Sequence, residues 1–571
     1  MTEVLRHPQS RIRRGWAAPI GAHLGALLLV LVGLTLVVGW QAPFSADEGA
    51  AAAQARMLAD GDGWSAPHPF PEADPDGAAF PLARSTPTSE GWAPFAKHPT
   101  YSIVLAAADG LGGVPAMVVL SLVGTVAAAG IATALAGRLD ESLARPALWV
   151  TGLASPLVFD AHLLMAHTLG AAAAGGATLC ALRAASSRRW PAVAGTAALT
   201  ALAVLLRNEA VLYAIALAAA LLVVGTIRRR PGFSIAGLAA GGAGLSAMWA
   251  EPRLVGWLIP GATGAEAVEV PASELGFVAG RVQGLVVTWL LPSYQVGLGT
   301  ALLAISVLAV IVGAVIVRRR GDEQGIVVMA ALAAGAAVAR LALAPEVVPG
   351  LLVAFPLLVV AAILVRRSAV STDVAAVLAG TTLLFAAAVL ATQYSTGGSG
   401  EWGGRSFALA LPAAVPVALH VLRGAAAALG SQARRAALVG LVVTSTAIAA
   451  SGILALRTVH GNTDRVVEAT VDAARRDGPA GDGGTAVVLT SEEALPRLAW
   501  DRLDGARWLR TEPEDLAAML ERLDGLGVTE LTFVTRDEAR DHDPVTDGWR
   551  ATDRQEPVEG SPWVILELHA V

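Results

Sequence analysis

The chain has 571 residues, of which 54% are hydrophobic and 15% charged, and its mean hydropathy is +0.58. An ordinary soluble domain carries about 25% charge, so these values argue against a soluble multidomain enzyme. The formal net charge of −6 gives no reason to expect nucleic acid, and Cys180, standing alone, can form neither an intramolecular disulfide nor a cysteine metal cluster.

Apolar runs of about 20 residues, long enough to cross a hydrocarbon core of about 30 Å, recur along the chain. Thirteen are expected, at 17 to 40, 100 to 137, 144 to 159, 163 to 184, 191 to 207, 209 to 227, 232 to 250, 297 to 317, 325 to 343, 347 to 365, 371 to 391, 405 to 423 and 436 to 456. The first follows Arg11, Arg13 and Arg14, but its core is too long for a signal peptide. The second contains Gly110, Gly112, Gly113 and Pro115, which predict a short helix followed by a kinked one. The fold class expected is therefore an α-helical polytopic membrane protein.

Cytoplasmic loops carry the excess of Lys and Arg. With the N-terminus inside, the inner loops hold 20 basic residues, among them Arg228 to Arg230 and Arg318 to Arg320, against eight on the outer side before residue 457. This places the protein in the cytoplasmic (inner) membrane with the N-terminus cytoplasmic. The odd number of spans places the C-terminal tail on the extracytoplasmic side.

Composition shifts at Arg457, so 1–456 is read as the membrane domain and 457–571 as a soluble α/β domain with a Gly-rich linker from Gly478 to Gly484. Strand-like runs at Ala486 to Leu489, Leu531 to Val534 and Trp563 to Leu568 bracket a helical pattern from Pro513 to Leu523. In that pattern Leu516, Met519, Leu520 and Leu523 share a face. The tail carries no catalytic motif, and His460 and His542 read as surface residues.

Ionisable groups kept at membrane ends are functional candidates, and those expected outside cluster. The first outer loop, 41–99, opens on Ser45-Ala46-Asp47-Glu48 and closes on Lys97-His98-Pro99. Ser45 and Glu48 have the spacing of a capping box, and acids in a first helical turn complement the helix dipole. The cap does not require Asp47, which makes it a candidate catalytic carboxylate. Asp160 ends the third span after Ser155-Pro156 and reads either as a second functional acid or as a helix-end carboxylate facing water. Lys97 is the chain's single lysine; as a point charge it suits a phosphate, or it is a snorkelling interfacial cation. Glycines in the stretch from Gly397 to Arg405 permit backbone amides to face an anion, with Arg405 adding a bidentate fork at the next helix start. The competing reading is a flexible loop with an anchoring arginine. His162 and His167 are five residues apart and share a helix face poorly, but one of them joining Asp47 or Asp160 around a divalent metal ion stays open.

This order of motifs resembles the GT-C superfamily of membrane glycosyltransferases, in particular the protein O-mannosyltransferase and aminoarabinose-transferase type. The likeness covers roughly 1 to 425. The family's Lys-Pro-Pro at the loop end stands here as Lys97-His98-Pro99. The resemblance implies transfer of a sugar from a polyprenyl-phosphate carrier, with inversion, to a glycan, lipid or protein acceptor on the outer face. It makes Asp47 the general base and Lys97 and Arg405 the carrier-phosphate ligands, and it gives Asp160, Glu48 and His162 acceptor-side or metal roles. A transporter or flippase of lipid-linked envelope precursors would need ionisable residues near the midplane and broken helices in related halves, whereas these cores are nearly free of charge and show no repeat. A non-catalytic envelope assembly protein would need neither the outward acids nor the lone lysine.

Overall fold

A computed structural model describes residues 19–40, 43–82, 85–187, 189–262, 276–319, 321–392, 402–477, 486–536, 548–558 and 563–571. The membrane part opens with α1 (Ile20–Val38), the loop helix α2 (Ala46–Asp60), the hairpin β1 (Thr86–Thr88) and β2 (Gly91–Ala93), and α3 (Pro99–Leu139). It continues through α4 (Ala144–Trp149), α5 (Leu157–Asp160), α6 (His167–Ser187), α7 (Trp190–Leu206), α8 (Ala210–Ile227), α9 (Pro231–Leu258) and α10 (Gly276–Leu285). The last membrane helices are α11 (Leu298–Arg319), α12 (Glu323–Leu343), α13 (Leu351–Ala354), α14 (Leu357–Leu364), α15 (Asp373–Thr392), α16 (Leu411–Ala426) and the 47-residue α17 (Ser431–Asp477).

Among the described residues, nine helices are long and apolar enough to cross a membrane, and the chain is a multi-pass membrane protein. Their outward faces carry large apolar side chains such as Leu29, Leu111, Leu238 and Leu308, each more than half exposed, as a lipid-facing surface requires.

Two of the thirteen expected spans are not single helices. The run at 144–159 breaks into α4, a π-turn at Val150–Ala154, an extended Ser155 and the four-residue α5. The run at 347–365 breaks at Phe355 and Pro356 into α13 and α14. Hydropathy measures transfer to lipid and does not register where helical hydrogen bonds stop. The break after α4 is tolerated because its polar groups find partners inside the protein: Ser155 Oγ donates to Thr151 O at 2.6 Å, and Ser121 Oγ of α3 donates to Leu163 O at 2.5 Å. The kink in α3 falls where the glycines predict it, at Gly112 and Gly113, the latter with φ +64°.

The C-terminal region is an α/β unit. Its sheet has the order β4 (Arg507–Arg510), β3 (Val487–Thr490), β5 (Glu530–Arg536), β7 (Trp563–Ala570), β6 (Trp549–Pro557). β3 runs parallel to β4 and β5, and β7 antiparallel to β5 and β6. The sequence pattern picked out β3, β5 and β7 but not the two outer strands. Side chains alternate across the sheet. Val487 and Leu489 face Met519, Leu520 and Leu523 of the helix Leu516–Gly525, while Val488 faces Val466, Val467 and Val471 of α17. The compositional boundary at Arg457 therefore lies inside one unbroken helix that runs from the bundle into the sheet core. Phe70, Ala73 and Ala79, in the long loop between α2 and β1, join the other face of the same sheet, so that loop and the tail share a core.

Candidate active site around Asp47

The capping box read from the sequence is present. Ser45 Oγ accepts from the Glu48 amide at 3.4 Å, and Glu48 Oε2 accepts from the amides of Ser45 at 3.0 Å and Phe44 at 2.9 Å. Glu48 Oε1 accepts from the amide of Leu164 at 2.6 Å. Its carboxylate is thus occupied as a structural staple between α2 and the segment after α5.

The cap leaves Asp47 pointing the other way, into a set of cations. Among the described residues, Lys97 Nζ donates to Asp47 Oδ2 at 3.1 Å, Arg405 Nη1 lies 3.8 Å from the same oxygen, and Arg497 Nη2 donates to Oδ1 at 2.7 Å. Burial pushes the Asp47 carboxyl up, but Lys97, Arg497 and Arg405 together outweigh it and hold the group well below the usual carboxylate range. Burial pulls Lys97 down, and Asp47 opposes that effect.

Local structure delivers each cation. Gln54 of α2, fully buried, accepts from the Phe95 amide at 3.2 Å and donates to Trp64 O at 3.2 Å, which pins the end of the loop so that Lys97 returns to Asp47. His98 then caps α3, its ring 3.8 Å from Glu251 of α9. Arg405 follows Gly403 and Gly404, with φ +65° and +64°. A Cβ at Gly403 would meet Pro156 at 2.6 Å and one at Gly404 would meet Thr288 O at 2.8 Å, so this approach admits only glycine. The amides of Gly403 and Gly404 donate to Val348 O and Pro349 O, both at 2.7 Å. They are therefore committed to the fold and not to an anion, which corrects that part of the expected amide cradle. The stretch from Gly397 to Glu401 lies outside the described residues.

Of the two readings of Asp160, the helix-end carboxylate facing water does not hold. Asp160 is 1% exposed, with Oδ1 3.5 Å from Nδ1 of His167, itself 1% exposed. The broken run before it folds the turn inward. His162 is buried against α1, with Nδ1 3.1 Å from Thr35 Oγ1, and burial pushes its imidazole pKa down. No group of three or more His, Cys, Asp or Glu side chains among the described residues converges as a metal ion would need. Asp47 has its oxygens engaged by cations and Glu48 by backbone amides.

Two arginines enlarge the site beyond the sequence reading. Arg207, 7% exposed, is gripped by Glu209 through contacts of 2.7 and 3.1 Å and lies within electrostatic reach of Lys97 and His98. In the sequence the Arg207-Asn208-Glu209 triplet is a short polar segment between two apolar runs. Arg497 had no local signal, being one of many arginines in the tail.

No protein family and no curated protein matches the chain. Among solved structures it is similar to ArnT from Cupriavidus metallidurans in the apo state, at 14% identity and a TM-score of 0.49, covering 97% of this chain and 98% of that one. It is similar to the same protein bound to undecaprenyl phosphate, at 13% identity and a TM-score of 0.48 over the same shares. The Archaeoglobus fulgidus oligosaccharyltransferase tethered with an acceptor peptide is similar at 12% identity and a TM-score of 0.43, over 90% of this chain and 69% of that one.

Proposed function

We propose that this protein is a membrane glycosyltransferase that moves a sugar from a polyprenyl-phosphate carrier to an acceptor hydroxyl by a single inverting displacement. The observation that carries this reading is the shared grip of Lys97 and Arg405 on Asp47 Oδ2, at 3.1 and 3.8 Å. It unites one carboxylate and two cations from distant parts of the chain.

In the ligand-free protein the carboxylate is the counter-ion of a cationic site. A carrier phosphate entering that site competes for Lys97 and Arg405. Drawing them away uncovers Oδ2 and raises its basicity, because the cations that depress its pKa then serve the phosphate. The acceptor hydroxyl oxygen forms a bond to the anomeric carbon while the bond from that carbon to the phosphate oxygen breaks. The electron pair leaves with the phosphate, stabilised by Lys97 and Arg405, and the hydroxyl proton passes to Asp47 Oδ2. No nucleotide-sugar pocket is needed, since the donor arrives through the bilayer. In this scheme Glu48 fixes the angle of α2, and the buried Asp160–His167 pair serves the acceptor side.

Purified protein incubated with a panel of radiolabelled polyprenyl-phosphate sugars tests the reading. Release of carrier phosphate with label transferred to an envelope extract is expected from at least one donor. Failure with every donor, in protein that is monodisperse and folded, would overturn it.

A further inference from the structure

Arg497 belongs to the C-terminal region, on the short helix Leu495–Leu498, 450 residues from Asp47, yet it holds the candidate base directly. Its side chain is 6% exposed. The approach is fixed by backbone: a Cβ at Gly49 would lie 1.7 Å from the Arg497 carbonyl oxygen, so α2 and the tail touch where only glycine fits. Arg56 of α2 adds a contact over the Trp500 ring, 5.3 Å from its centroid. The two carboxylate oxygens have different partners, with Arg497 on Oδ1 and Lys97 and Arg405 on Oδ2.

We propose that Arg497 is a positioning residue for the transfer step, keeping Oδ1 anchored while the donor phosphate draws Lys97 and Arg405 off Oδ2. The inference rests on the reading of Asp47 as the base. It makes the C-terminal region part of the active centre, because docking of the tail then sets the direction in which the free oxygen points. An anchored carboxylate is a weaker base than a free one, but only the anchored one meets the acceptor hydroxyl in line. The groups facing Asp47 are Lys97, Arg405 and Arg497, with Glu48 beside it held by amides and Arg207 and His98 beyond Lys97.

The test is kcat and donor KM across pH for full-length Arg497→Met, Arg497→Gln and Arg497→Lys beside Asp47→Asn. A misplaced base costs about 10²-fold, so the Met variant should lose about that much kcat, with donor KM within about twofold because phosphate binding is untouched. Loss of the cation should also move the acid limb of kcat to higher pH. The Gln variant keeps a donor without charge and should recover part of kcat with the same shifted limb; the Lys variant should recover part of kcat with the limb near wild type. If the Met variant does not fold, the Gln and Lys limbs carry the comparison. Folded variants with wild-type kcat, or with reduced kcat and an unmoved limb, would reduce Arg497 to a docking contact. If Asp47→Asn still turns over, the base assignment and this inference fall together; if Asp47→Asn is inactive and the Arg497 variants are normal, only this inference falls.

Discussion

Glu48 and Leu164 are joined by a 2.6 Å hydrogen bond across 116 residues of sequence, from the Leu164 amide to Oε1. The residue next to the candidate base therefore ties the loop helix to the segment between α5 and α6, and Asp47 takes its direction from that tie. The sequence alone suggests that glutamine would replace Glu48 harmlessly, since it completes a capping box. With both carboxylate oxygens accepting from amides, a glutamine NH₂ must face one of those donors. A buried donor left unpaired costs about 1–3 kcal/mol. Glu48→Gln should lower thermal stability accordingly while keeping residual turnover per folded molecule well above that of Asp47→Asn; unfolding curves with matched turnover measurements check both.

Asp47 gives a signed pH prediction. Its folded-state pKa lies below the ordinary value of 3.8. The stability it contributes is therefore complete above about pH 4 and is lost only as pH falls through the depressed value. Ligand-free protein should show no Asp47 titration between about pH 5 and 8. The donor phosphate draws cations away, so the acid limb of kcat, which reports the bound complex, should lie at higher pH than that of kcat/KM, which reports the free enzyme. Coincident limbs would contradict the exchange of partners.

Arg405 and Lys97 should govern donor affinity. A charge-assisted contact is worth about 1.5–3 kcal/mol, so Arg405→Ala should raise the donor KM about 10- to 100-fold. Arg405→Lys should recover part of this, because the planar fork is lost. Lys97→Ala should act in the same direction. Donor titrations of the three proteins decide it.

Gly49 reports on docking of the tail. A methyl group there meets backbone at 1.7 Å, which cannot yield as a flexible side chain would. Gly49→Ala should therefore displace the Leu495–Leu498 helix and reduce turnover as the Arg497 variants do, while leaving insertion of the apolar helices intact. Limited proteolysis of the tail in membranes provides the measurement.

Much of this arrangement is written locally. Ser45 and Glu48 announce a helix start at their own spacing, Gly112 and Gly113 announce the kink, and Asp47 stands out as the acid the cap does not use. The breaks at Ser155 and Pro356 are harder to read, because apolar composition is the same whether a run forms one helix or two. The inward burial of Asp160 follows from the first of those breaks and was hidden with it. Arg497 is illegible for another reason: its meaning depends on a contact between the two ends of the chain and on a glycine at 49 that in sequence is one small residue among many.

The most direct measurement is single-turnover transfer by purified Asp47→Asn with the donor that wild type uses. The amide keeps the shape of the side chain and cannot take a proton. Loss of a general base should slow the chemical step about 10²- to 10⁴-fold. Binding of the carrier phosphate should be as tight as wild type or tighter, because the resident negative charge that competes for Lys97 and Arg405 is gone. Retention of more than about a tenth of the wild-type rate, outside the range expected for a lost base, would contradict the account at its centre.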